Sequence, residues 1–101
     1  MTYLKEDYLY CTAILQSTKK VPYEQLIKKL EKLQEKTTTE KGCILFEVVP
    51  LNRELERFGL WEIWKDTESF YKHHEKEYTK EFFAEQLDTI ELFESSKEVS
   101  L

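Results

Sequence analysis

"CILFEVVPLNRELERFGLWEIW", Cys43 to Trp64, reads as two apolar arms around a polar centre. The arms, Cys43–Val49 and Phe58–Trp64, are rich in aromatic and β-branched residues, and Pro50 closes the first. The charged centre, "PLNRELER", is short enough to make them an antiparallel hairpin. With Pro50 opposite Arg57, the strand acids Glu47 and Glu62 would share one sheet face. Side chains alternate along a strand, so Trp64 falls with Glu62 and Phe58, and Trp61 with Ile63 on the other face. A carboxyl on a covered face is costly unless hydrogen-bonded, paired or in a pocket. Each acid is therefore either structural, met by Arg53, Arg57 or a lysine, or the mark of a site.

Upstream, Tyr8–Gln16 ("YLYCTAILQ") is apolar in both alternating sets, the pattern of a central strand covered on both faces. Leu26, Ile27, Leu30 and Leu33 then form one helical stripe, so a helix runs from about Pro22 to Thr37, with Pro22 in its first turn. It frays in "TTTEKG", where Gly42 is available for a left-handed turn. Downstream of the hairpin, Asp66 or Thr67 caps a helix. That helix carries Phe70, His73 and His74 and breaks near "EKEYT" into two. Leu87–Glu94 is a last strand, and residues 95–101 are a tail.

The order β-α-β-β-α-β defines an α+β, ferredoxin-like fold: a four-stranded antiparallel sheet with the helices on one face. Its other face carries apolar residues from the first three strands. A face of that kind must be covered, and a second copy stacked sheet to sheet covers it, so a homodimer is expected.

The chain has 101 residues, 41% hydrophobic and 35% charged, enough for a single domain spanning 1–101 with a core from about 8 to 94. Its net charge is −5, and its lysines alternate with glutamates ("KKLEKLQEK"), as on solvated helix faces. Nucleic acid is not an expected partner. No apolar run approaches the ~20 residues of a membrane span. "MTYLKEDYLY" lacks a signal-peptide core, so no membrane and a cytoplasmic location are expected. Cys11 and Cys43 lie on different strands without metal-like spacing and read as free thiols.

His73 and His74 sit about 100° apart on their helix and cannot both face inward. His73 with Glu77, or His74 with Tyr78, has the i, i+4 spacing of metal ligands. Each pair supplies one imidazole, and a third ligand would have to come from Glu47 or Glu62, so no metal is expected. A pocket-lining His suits proton transfer instead. His73 returns over the face of Glu62 and Trp64, while Trp61 goes to the opposite face and His74 to solvent. There is no glycine loop for a phosphate and no Gly-flanked serine, so nucleotide and flavin fingerprints are absent and no cofactor is expected.

"KGCILFEVVP" followed by "FGLWEIWKDTESFYKHH" resembles the antibiotic biosynthesis monooxygenase family, through Gly42, Cys43, Phe46, Glu47, Glu62, Trp64, Asp66, Phe70 and His73. The resemblance spans about Tyr8 to Glu94. It implies a dimeric α+β barrel and a cofactor-independent monooxygenase using O2 on a small aromatic or quinol-type substrate. With the residue types, it implies His73 as base, Glu62 orienting that His or a water, and Tyr78 donating a hydrogen bond. Trp64, Phe46, Glu47, Phe70 and Phe83 would line the substrate. Two departures stand out. Tyr78 replaces a second family His, and the first strand lacks the Asn of haem-degrading relatives, so haem degradation is not expected. A non-enzymatic ligand-binding dimer and an isomerase of a small metabolite are the alternatives, the latter needing Lys or Arg around His73.

Overall fold

The computed structural model describes residues 7–101. The N-terminal residues 1–6, on which part of the cytoplasmic expectation rests, lie outside that range. The elements are β1 (Leu9–Ser17), α1 (Tyr23–Thr37), β2 (Cys43–Pro50), β3 (Arg57–Trp64), α2 (Thr67–Glu75), α3 (Glu77–Ala84) and β4 (Asp88–Ser95). The strands form one antiparallel sheet in the order β2-β3-β1-β4, so the chain has the expected ferredoxin-like fold, with its second helical segment split in two. β1 is central, as its two-sided apolar pattern requires. The split falls at Lys76, whose extended backbone (ψ 141°) ends α2 and opens α3.

β1 alternates strictly between buried and half-buried residues. Leu9, Cys11, Ala13 and Leu15 face the helices, opposite Trp64, Glu62, Leu60 and Phe58 of β3. The core has two parts. One joins Ala13, Leu15 and Phe58 to Leu26 and Leu30 of α1 and Phe82 of α3. The other gathers Leu9, Cys11, Phe46, Trp64 and Phe70.

The hairpin register departs from the expectation. Phe46 stands opposite Glu62 and Glu47 opposite Trp61. Glu47 therefore lies on the outer face and is exposed, while Glu62 faces the helices. The cause is one residue in the loop. Glu56 takes a left-handed φ of 55°, so Leu51 rather than Pro50 meets Arg57 (Leu51 N–H to Arg57 O, 3.0 Å). A one-residue slip moves every side chain of a strand to the other face.

Gly42 is a second correction. No glycine has positive φ, so Gly42 makes no left-handed turn. It is needed for space: a Cβ there would sit 2.0 Å from Ser69 Oγ in the first turn of α2. Asp66 caps that turn, accepting from Ser69 N–H at 2.8 Å. Entry to β2 and the start of α2 are thus locked together, with the Lys65 N–H donating to Gly42 O at 2.8 Å.

Candidate functional site

The two core clusters meet around a cavity of about 40 Å³, to which both contribute (Leu15, Leu30 and Phe82 from one, Phe46 from the other). Its walls are apolar except for Glu62, His73, His74, Thr79 and Asp88. A space of this size holds one or two water molecules, whereas an engineered apolar cavity that takes benzene measures about 150 Å³. Phe83 and Leu101 line the cavity and are also 45% and 58% exposed, which makes them its rim.

α2 carries His73 inward to 3% exposure, against Trp64 and Phe46, with ring centres 5.1 and 5.4 Å away. Its Nδ1 is 2.8 Å from Oε2 of Glu40. The Tyr78 hydroxyl donates to the same carboxylate oxygen, and Thr79 Oγ1 approaches Nδ1 at 3.4 Å. Among the described residues no hydrogen bond engages His73 Nε2. Burial holds the imidazole below its ordinary pKa, although Glu40 opposes the shift. The ring is therefore neutral near pH 7.

Glu62 is 6% exposed and accepts from the Trp64 indole N–H at 2.7 Å. Burial pushes its carboxyl up to about 7; the indole bond pulls it down, and the nearby Glu40 charge adds to the rise. Asp88, at the start of β4, is pushed up to about 6 by burial alone. Cys11 and Cys43 are free thiols, both pushed up to about 12 by burial and neighbouring carboxylates, so neither is an activated nucleophile.

Phe46, Glu62, His73 and Phe83 line the cavity as the sequence suggests. Trp64 and Phe70 pack behind it, both at 0% exposure, the first bonded to Glu62 and the second against His74. Tyr78 lines a different groove, between α1 and α3, and reaches the site only through Glu40. Glu47 is absent from the site because of the hairpin register. His74 does not point to solvent. It is half-buried, lines the cavity, stacks on Phe83 (5.8 Å, 9°) and donates Nδ1–H to Phe70 O at 2.9 Å. The apolar rings on either side outweigh the solvation its position on the helix allows.

Sequence reasoning missed Glu40 and Asp88. Glu40 sits in the turn after α1, held by bonds from its own N–H to Thr37 O and from Cys43 N–H to its carbonyl. In "TTTEKGC" it is indistinguishable from a solvated turn acid. Among the described residues, no three His, Cys, Asp or Glu side chains form a metal-holding group, and no helix is long and apolar enough to cross a membrane.

Fold and site together define a small ferredoxin-like protein with a histidine-bearing cavity between sheet and helices. The chain belongs to the antibiotic biosynthesis monooxygenase family, whose model matches residues 19–85. It is 33% identical over 82 residues to the uncharacterized protein YjcS of Bacillus subtilis (81% of this chain, 78% of that protein). The solved structure of protein YjcS superimposes with a TM-score of 0.84 at 30% identity, covering 91% of this chain and 99% of that one. Protein SO0527 of Shewanella oneidensis is similar at 26% identity and a TM-score of 0.73, covering 91% and 89%. A Bacteroides thetaiotaomicron protein described as "Possible Oxidoreductase" shares the fold at 15% identity and a TM-score of 0.75, covering 90% and 97%.

Proposed function

We propose that this protein is a cofactor-independent monooxygenase of small, electron-rich aromatic or quinol-type substrates, working as a cytoplasmic homodimer of single-domain chains. The observation that carries the reading is His73: a buried imidazole lining a largely apolar cavity, with Nδ1 held by Glu40 and no hydrogen bond to Nε2 among the described residues. His73 removes a phenolic proton. The electron-rich anion then reduces O2, and the apolar walls slow competing protonation by water. Converting a ring methylene to a carbonyl releases four electrons, which is what O2 takes up when one oxygen atom enters the carbonyl and the other leaves as water. Glu62, a carboxyl able to be protonated near neutral pH, supplies the proton for the departing oxygen. The cavity is too small for an aromatic ring, so substrate enters by displacing the rim at Phe83 and Leu101.

Family membership and the oxidoreductase description of one structural neighbour support the reaction class. The reduced thiols Cys11 and Cys43 fit a cytoplasmic redox poise. The reading is tested by oxygen consumption with a panel of hydroquinones and anthrone-like phenols. Uptake above background is expected for the parent protein, falling on the order of 100-fold in His73→Ala, the usual scale for a lost general base. Uptake equal in both, or absent from both, refutes it.

The cavity size favours a second reading, a ligand-binding dimer without turnover, in which Trp64 and Phe70 are filled core and only the rim opens. Co-purification or calorimetric binding of a small apolar ligand with no oxygen uptake distinguishes it. An isomerase of an anionic metabolite has less support, because no Lys or Arg lines the cavity.

A further inference from the structure

We infer that Glu40 is the positioning residue of His73: with Tyr78 as its anchor, it holds the imidazole in the Nδ1–H tautomer and turns the Nε2 lone pair toward the cavity. The use of that lone pair rests on the proposed function; the tautomer is argued from the hydrogen-bond geometry around a neutral ring.

Three separate segments build the arrangement. Glu40 comes from the turn after α1, His73 from the last turn of α2, and Tyr78 from the first turn of α3. Glu40 Oε2 is 2.8 Å from His73 Nδ1 and also receives the Tyr78 hydroxyl. A phenol has one proton to give, and here it goes to Glu40, with Lys36 O a longer contact at 3.3 Å. Oε2 is thus already an acceptor, for the phenol, and lies at hydrogen-bond distance from Nδ1. An accepting Glu40 requires a proton on Nδ1, and a neutral imidazole then has none on Nε2. At 2.8 Å this is the charge-assisted hydrogen bond that fixes ring tautomer and orientation in other histidine sites.

The assignment divides the two buried acids. Glu62 is committed to the Trp64 indole at 2.7 Å and is not the orienter of His73. Glu40 stands behind the ring, away from the cavity lining, while Glu62 is part of that lining. The cavity therefore has a base, Nε2, and a separate carboxyl, each with its own partner. The other groups acting on the ring are His74 and Lys76, which both disfavour its protonation, and Thr79.

The test is 15N NMR of imidazole-labelled protein at about pH 8, where a neutral ring is expected. In the parent, the His73 Nδ1 signal should be protonated-type and the Nε2 signal unprotonated-type. Glu40→Gln should give a mixed or reversed pair and a lower His73 pKa. Glu40→Asp should restore the parent pattern in part, and Glu62→Gln should leave it unchanged. An Nε2–H tautomer in the parent, as when a protonated Glu40 donates to Nδ1, overturns the inference. So does a tautomer that follows Glu62 rather than Glu40. The parent spectrum needs no variant, so a misfolded Glu40→Gln leaves the test intact. Absence of oxygen uptake alongside the expected tautomer would refute the oxygenase reading and leave this assignment standing.

Discussion

Glu62 and His73 place opposite demands on pH. Glu62 is raised from 4.5 to about 7 in the fold, so the folded state holds more protons than the unfolded one in that window. Its contribution is fully present below about pH 4.5 and is lost as pH rises through about 7. His73 is lowered from 6.5, so its contribution is present above that value and lost as pH falls below it. Glu62→Gln keeps an acceptor for the Trp64 indole and removes the buried charge. It should stabilise the protein at about pH 8 by on the order of 2 kcal/mol, with the gain vanishing near pH 4.5. Paired denaturant titrations across that range measure it, and a pH-independent difference would contradict it. At this scale Glu62, Trp64 and His73 were legible, because strand alternation puts an acid and an indole two positions apart on one face, and an acid on a covered face is costly unless it has a partner there. Glu40 was not: it reaches a histidine 33 positions away, and nothing local to a polar turn records that partner.

The elements themselves were legible to within a residue or so, since each rests on local periodicity and caps. The joints between them were not. The hairpin arms are visible in the sequence, yet the left-handed Glu56 shifts their register and sends Glu47 to the outer face. The sequence suggests a turn residue at Gly42, and its actual role is steric. Gly42→Ala should cost about 1–3 kcal/mol through overpacking against Ser69. Because the clash is with Ser69 Oγ and Cβ, adding Ser69→Gly should recover much of the loss. Thermal unfolding of the single and double variants measures this coupling. Additive losses would show that the close approach is not what Gly42 serves.

On the scale of the whole molecule, the sheet has a covered face and an open one. Leu45, Trp61 and Leu92 are 36%, 51% and 46% exposed, and a groove of about 370 Å³ runs past Trp61 and Leu45 between Tyr10 and Glu94. The proposed homodimer would bury this face. Trp61→Glu should then weaken self-association at least about 30-fold, the cost of a central aromatic anchor. Sedimentation velocity over a concentration series reads this directly; a parent that stays monomeric, or a variant that dimerises as well as the parent, would exclude this interface. The sequence by itself determined the element order, the central place of β1, and which faces of β3 carry Trp64 and Trp61. Those follow from periodicity and alternation, which are local. Only the tertiary structure decided that Glu40 holds His73, that His74 turns inward between Phe70 and Phe83, and that the space between Glu62 and His73 is a small cavity rather than an open pocket. Each of these depends on how distant segments fill a shared volume, and packing of that kind leaves no period in the chain.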